Sequence, residues 1–145
     1  GKMSEFNAAL GLLQLKHVDE AISRRKRIDA VYRQRLNKVR GIRCFGDVDE
    51  NVSKSNYAYF TISVEPEYPI SRDALYHKLK DVGIHPRRYF YPLISEFSMY
   101  RDLPSANPEN LPVSAKVAQK VLCLPIYPDL EISTIDGITS FIAGQ

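Results

Sequence analysis

The sequence contains no tryptophan, only two cysteines among 145 residues, and a small excess of positive charge, +3. Cys44 and Cys123 lie far apart without CxxC spacing, and no secretory leader is visible. We therefore expect a reducing cytoplasm as the location, with a single disulfide as the disfavoured alternative. No apolar run approaches the ~20 residues that a membrane span needs. Because the net charge is mild, we expect neither nucleic acid nor a membrane as a partner.

Several catalytic and binding motifs are also missing. The sequence shows no Ser-His-Asp arrangement, no paired carboxylates and no glycine-rich phosphate loop. The three histidines, His17, His77 and His85, lack the spacing of metal ligands, so no metal site is expected. Lys2 lies near the terminus with nothing to desolvate it, which makes it a poor reactive amine. Local chemistry alone therefore predicts no catalytic residue in this chain.

The first long segment, residues 3–36, has no proline and is rich in good helix formers. Its apolar residues recur at helical spacing, and Ser4 is a suitable N-cap, so one helix is predicted. Residues 6–15 are apolar almost all round, as in a helix buried between two bodies of protein, whereas residues 24–27 (RRKR) are basic. This contrast predicts a connector helix over residues 1–40, joining a domain at 41–145 to a second domain that is not seen here.

The remaining pattern predicts an α+β domain with a small antiparallel sheet covered by helices. Strands are expected at residues 42–45, 57–64 and 122–126, and the second of these alternates between apolar and polar residues. Helices are expected from Ser71 to Gly83, over residues 113–121, and from Ser133 onward. Residues 84–93 are expected to be extended because Pro86 and Pro92 forbid a helix interior.

The segment His85-Pro86-Arg87-Arg88-Tyr89-Phe90-Tyr91-Pro92 carries the densest chemistry. Arginine can hold phosphate or carboxylate through a bidentate fork, and tyrosine offers a ring for stacking and a hydroxyl for hydrogen bonding. Strand alternation predicts that the side chains of Arg88 and Phe90 lie on one side. Those of Arg87, Tyr89 and Tyr91 would lie on the opposite side. From residue types alone, a strand with core aromatics and solvated arginines is favoured over a ligand site. For residues 24–27, a solvated helix face is likewise favoured over an anion site.

Three motifs resemble one known family. Residues 2–15 (KMSEFNAALGLLQL) closely resemble the signature of the nucleotide-sugar aminotransferases of the DegT/DnrJ/StrS type. Residues 83–93 are similar to the substrate-side segment of that family, and residues 124–142 to its last strand and helix. The resemblance implies the aspartate-aminotransferase-like fold (fold type I) and a dependence on pyridoxal phosphate. It places this chain as the connector helix and small C-terminal domain, with the large domain and its Schiff-base lysine expected upstream.

The resemblance also implies a function. The parent protein would be a homodimeric transaminase that aminates a keto group on a nucleotide-linked deoxysugar, with dTDP as the nucleotide and glutamate as the amino donor. His85, Arg87, Arg88, Tyr89 and Tyr91 would lie at the mouth of the sugar-nucleotide site and position substrate rather than transfer protons. The Arg-Arg-Tyr-Phe form resembles relatives that act at C3 of the sugar more than those acting at C4. This chain alone would be inactive.

Two alternatives remain from the residues themselves. One is a non-catalytic binding module whose basic helix and arginines hold an anionic partner such as nucleic acid. The other is a structural or dimerising domain that associates through Phe6, Leu10 and Leu13.

Overall fold

A computed structural model describes residues 1–46 and 55–145, and these residues form a small sheet with helices packed on it. The helices and strands, in chain order, are α1 (Glu5–Leu15), α2 (Val18–Leu36), β1 (Ile42–Cys44), β2 (Phe60–Val64), α3 (Arg72–Asp81), α4 (Pro112–Ala118), β3 (Val121–Leu124) and α5 (Ile132–Ala143). Short 3₁₀ turns occupy Ile94–Glu96, Pro104–Ala106 and Pro108–Asn110 between α3 and α4.

The sheet has the order β1-β2-β3, and both pairs are antiparallel. Phe60, Ile62 and Val64 of the predicted apolar face are buried, whereas Ala58, which was predicted to share that face, is exposed. Ser63 on the opposite face is buried as well, at 2% exposure, so both faces of β2 are covered there. The strand begins three residues later than predicted because residues 55–59 pair with neither neighbouring strand, and Tyr57 has a positive φ of 50°. A positive φ takes the backbone out of the extended region that a strand requires.

Helices supply the other half of the hydrophobic core. The ring of Tyr32 stacks on that of Phe60, with 4.7 Å between ring centroids, and both side chains are fully buried. The remaining buried helix residues include Ile28 and Leu36 of α2, Leu75 and Leu79 of α3, and Ile135, Ile138 and Ile142 of α5. The predicted α+β class is thus confirmed, and α2 shares one core with the described residues of 41–46 and 55–145.

The prediction of one continuous helix over residues 3–36 is wrong. Ser4 caps α1 as predicted, accepting a hydrogen bond from the Asn7 N–H. The helix then ends at Leu15, because the N–H groups of Lys16 and His17 donate to carbonyls three residues back, at 3.2 and 3.0 Å. These bonds tighten the last turn and end the α-helical ladder. No residue of α1 is buried, so no buried core packing of the described residues holds it on the axis of α2.

The other boundaries shift by a few residues. Ser71 caps α3 as predicted, accepting from the Ala74 N–H at 3.2 Å, and Gly83 follows its end with a φ of +78°. The helix predicted at 113–121 ends at Ala118, so β3 begins one residue earlier than expected and also ends earlier. The last helix begins at Ile132 rather than Ser133.

Candidate functional site

The segment 85–91, which we call the ridge, is held in place at its first half. After Gly83, the Ile84 N–H donates to the Leu79 carbonyl at 2.9 Å. Arg87 then forms an isolated antiparallel bridge with Cys123 of β3, through N–H···O bonds of 2.9 and 2.7 Å. The ridge is therefore attached to the buried edge of the sheet through backbone bonds, which leaves its side chains available for other contacts.

The predicted alternation of side chains fails beyond Arg87. The rings of Tyr89 and Phe90 stack with centroids 4.9 Å apart, and the Arg88 guanidinium lies 5.2 Å from the centroid of the Tyr91 ring. Each pair was predicted on opposite sides. The reason is that sheet pairing stops at Arg87, and the Tyr91 N–H donates to the Arg88 carbonyl at 2.8 Å. A turn replaces the strand, so the two-residue period no longer applies.

The ridge separates two grooves. The aromatic groove has a volume of about 640 Å³ and is lined by residues that include Tyr76, Arg88, Phe90, Tyr91 and Phe97. The histidine groove, of about 270 Å³, is lined by residues that include Tyr59, His85, Cys123 and Tyr127. Arg87 and Tyr89 line both. The five predicted site residues are thus brought together on one ridge, where they divide between two concave surfaces.

The two arginines of the ridge differ in their surroundings. Arg88 donates to a carboxylate oxygen of Asp73 at 2.9 Å, and its guanidinium lies 4.4 Å from the centroid of the Tyr76 ring. Arg87 is exposed, and within residues 1–46 and 55–145 its guanidinium has no hydrogen-bond or ion-pair partner. An unpaired guanidinium keeps all its donors for an incoming anion. Of the two arginines of the ridge, Arg87 is therefore the one whose donors are unpaired among the described residues.

Sequence reasoning missed the residues that face the ridge from other elements. Asp73 and Tyr76 both belong to α3, and Tyr59 and Tyr127 lie beside the ends of β2 and β3. The two α3 residues are three positions apart and thus share a helix face, which is the only signal that the sequence offers. No local sequence pattern indicates that this face of α3 contacts Arg88.

Cys44 and Cys123 form no disulfide with each other, and their surroundings differ. Burial raises the pKa of Cys123, although hydrogen bonds from Thr61 and the Tyr89 backbone oppose the shift, and Cys44 is only half-buried. A raised pKa leaves less thiolate at a given pH. In the native chain at pH 8, we expect an aromatic disulfide reagent to modify Cys123 about tenfold or more slowly than Cys44. A Cys44→Ser variant should retain only the slow reaction; an undiminished fast phase in that variant would contradict the assignment.

The basic stretch at residues 24–27 is partly engaged within the chain. Arg24 pairs with Glu20 at 2.6 Å and with Asp129 at 2.9 Å, and Arg25 donates twice to the Asn56 carbonyl, at 3.0 and 2.8 Å. These contacts use donors that an anionic partner would need. They weaken the alternative in which the helix provides a basic binding face.

The apolar face of α1 is open. Phe6 is 90% exposed and Leu13 is 55% exposed, and an apolar groove of about 720 Å³ runs between α1 and the start of α2. A continuous exposed apolar surface of this kind is typical of a face that another body of protein covers. Its predicted burial between two bodies is not fulfilled within the described residues and stays a prediction.

The described residues do not fit pyridoxal phosphate as a covalently held group. A Schiff-base lysine requires an amine that is desolvated or depressed in pKa by its surroundings. The lysines in the described ranges are exposed, except for the half-buried Lys120, whose Nζ lies 2.6 Å from an oxygen of Glu65.

Of the residues described, no three His, Cys, Asp or Glu side chains cluster to hold a metal ion. None of the described helices has the length and apolarity required to cross a membrane.

Comparison with known proteins identifies the family. The profile of the DegT/DnrJ/EryC1/StrS aminotransferase family matches residues 1–143. The chain is 50% identical over 146 aligned positions to a dTDP-4-amino-4,6-dideoxy-D-glucose transaminase of Escherichia coli, and 41% identical over 142 positions to an enzyme of the same name from Shigella dysenteriae. These alignments cover 100% and 98% of this chain.

A solved structure agrees in fold. The crystal structure of DesI, determined in the presence of its TDP-sugar product, superimposes with a TM-score of 0.86 at 30% identity and covers 97% of this chain. The chain spans only 38% of the length of the two curated relatives, and 35% of DesI. Because the family profile covers nearly every residue, this chain belongs to the DegT/DnrJ/EryC1/StrS aminotransferase family.

Proposed function

We propose that this chain is part of a transaminase that acts on a dTDP-linked 6-deoxyhexose, and that its ridge forms one wall of the nucleotide-sugar site. The observation that carries the proposal is the 50% identity, over the whole chain, to a transaminase named for such a sugar. The ridge supplies suitable chemistry, with an unpaired guanidinium on Arg87 and aromatic rings on both sides of it.

The position on the sugar is proposed to be C4. The two relatives at 50% and 41% identity are both named for a sugar that carries its amino group at C4. The motif at residues 87–90 suggested C3, but identity along the entire chain is a broader observation than four residues. The substrate that is aminated would therefore be the corresponding sugar with a ketone at C4. Glutamate is the proposed amino donor.

The roles of the ridge residues follow from their surroundings. Arg87 would grip a phosphate oxygen of the nucleotide through a bidentate pair, which is the geometry that guanidinium and phosphate favour. Tyr89 packs edge-on against Tyr59, with 5.5 Å between ring centroids, and presents a rigid aromatic wall to either groove. His85, Arg88 and Tyr91 complete the walls of the two grooves. Each of these roles holds or orients substrate, and none requires proton transfer.

The cofactor belongs, in this proposal, to the rest of the parent protein. The family is pyridoxal-phosphate dependent. That group supplies the electron sink for transamination, while the protein positions the substrate against it. Since the described residues offer no suitable lysine, we propose that the Schiff-base lysine lies in the part of the parent that this chain does not span, and that this chain alone is inactive.

The apolar face of α1 is proposed to pack on that same remaining part of the parent. The relatives are more than twice as long as this chain, so a second body of protein is available to cover it. We further propose that the parent protein is a homodimer and that it is located in the cytoplasm.

The test of this function uses the full-length protein that contains the chain. Incubated with the dTDP-linked 4-keto-6-deoxyhexose and L-glutamate, it should form the amino sugar and 2-oxoglutarate, detected by mass spectrometry. The 3-keto isomer should react far more slowly. Turnover of neither sugar would reject the proposed function, and a preference for the 3-keto isomer would reject the assignment to C4.

Replacing Arg87 with alanine should weaken nucleotide-sugar binding selectively. Losing even one of the two hydrogen bonds of such a pair costs about 1.5–3 kcal/mol, so KM for the nucleotide sugar should rise at least about 10- to 150-fold. KM for glutamate should remain within about twofold, since the lost contact is to phosphate. Steady-state kinetics with each substrate varied in turn measures both constants.

The matched control is Arg27→Ala, which removes the same charge from the exposed face of α2. It should leave both constants unchanged. An equal rise in the nucleotide-sugar KM for both variants would show a general electrostatic effect and would contradict a phosphate contact at Arg87.

A further inference from the structure

A cluster on the far side of the ridge connects it to α3, α4 and β3. Arg72, the first residue of α3, is only 4% exposed, and its guanidinium donates to the Ala118 and Val121 carbonyls at 2.9 and 3.0 Å. The same guanidinium lies 4.7 Å from the centroid of the Tyr91 ring. A cation over the face of an aromatic ring is attracted to it, so the buried Arg72 holds the Tyr91 ring in place.

Tyr91 has a second cation beside it. The Arg88 guanidinium is 5.2 Å from its ring centroid and 4.4 Å from that of Tyr76. The order of the stack is therefore Arg72, Tyr91, Arg88 and Tyr76, and the last three line the aromatic groove. The orientation of Arg88 sets the shape of that groove.

Asp73 is the only carboxylate among the described residues that contacts both guanidiniums. One oxygen, Oδ1, lies 2.9 Å from Nε of Arg72 and 2.9 Å from Nη1 of Arg88. Two guanidiniums held around one ring repel each other, and the repulsion is strongest for a buried charge. The carboxylate offsets this repulsion and accepts the hydrogen bond that keeps the Arg88 guanidinium over the Tyr76 ring.

From this geometry we infer that Asp73 is a positioning residue of the proposed nucleotide-sugar site, acting through Arg88 to hold the wall of the aromatic groove. Its own carboxylate does not line that groove. The inference rests on the proposed function for its consequence, because it predicts an effect on nucleotide-sugar binding and none on the amino donor.

The kinetic test compares Asp73→Asn with the parent, both as full-length holoenzymes. Asparagine keeps the shape of the side chain and removes its charge, so Arg88 loses its ionic partner. KM for the dTDP-linked keto sugar should rise about 5- to 20-fold, while kcat and KM for glutamate stay within about twofold. In an Arg88→Met background, the same substitution should have no further effect, because the residue through which it acts is gone.

Asp81→Asn is the control, since it makes the same substitution at an exposed position at the end of the same helix. It should change neither constant. A rise of equal size for Asp73→Asn in the Arg88→Met background, or equal changes in the KM values of both substrates, would overturn the inference.

Crystal structures of the parent and of Asp73→Asn give a second readout that does not depend on turnover. In the variant, Arg88 should leave the Tyr76 ring by a change of rotamer, which displaces the guanidinium by about 2 Å or more. An Arg88 that stays on Tyr76 would refute the positioning role, and an Arg88 that moves without changing KM would refute its importance for substrate. If the parent transaminates no nucleotide sugar, the proposed function fails, and the crystal structures alone decide whether Asp73 positions Arg88.

Discussion

Gly41→Ala is expected to destabilise the fold by about 3 kcal/mol or more, a large share of the total stability of a typical domain. Gly41 has a φ of +77°, which costs an alanine about 1–2 kcal/mol. A Cβ at this position would also collide with the backbone nitrogen of Tyr68 and lie 2.6 Å from its Cα. Tyr68 cannot easily withdraw, because it is buried and its hydroxyl donates to the Ile142 carbonyl at 2.7 Å.

Urea unfolding followed by circular dichroism measures the change, and Gly83→Ala separates its two causes. Gly83 has nearly the same φ, +78°, but no atom lies within 4 Å of the position of its Cβ. It should therefore show only the conformational cost, about 1–2 kcal/mol. Equal losses at the two positions would mean that the collision with Tyr68 relaxes freely.

Phe60→Ala should lower the free energy of unfolding by about 3–5 kcal/mol. The side chain is fully buried in the middle strand, stacks on Tyr32 and lies under the guanidinium of Arg33 at 5.6 Å. Removing the ring opens a cavity between the sheet and α2, and the surrounding backbone is held by strand pairing on both sides.

Phe6→Ala provides the comparison. Phe6 is 90% exposed on α1, so in the isolated chain its loss should change stability by no more than about 0.5 kcal/mol. A large loss of stability for Phe6→Ala would show that α1 of the purified chain packs on another surface, either of the same chain or of a second copy. A small loss at Phe60 would show that the core between β2 and α2 is not formed as described.

The sequence predicted most of what depends on neighbours within four residues. Ser4 and Ser71 cap their helices because a hydroxyl reaches an N–H three positions ahead. The alternation of Phe60, Ile62 and Val64 follows from the two-residue period of a strand, and all three residues are buried as predicted. The family, too, was evident in the sequence, because three motifs in the right order carry more information than any composition.

The sequence by itself thus determined the fold class, the family and the identity of the ridge residues. Tertiary structure decided how those residues are used. Asp73 lies 15 positions before Arg88, and that contact, together with the Tyr76 ring, distinguishes a guanidinium bound into the fold from the unpaired one on Arg87. Periodicity and capping act over a few residues, whereas ion pairs and ring contacts depend on which elements the core brings together.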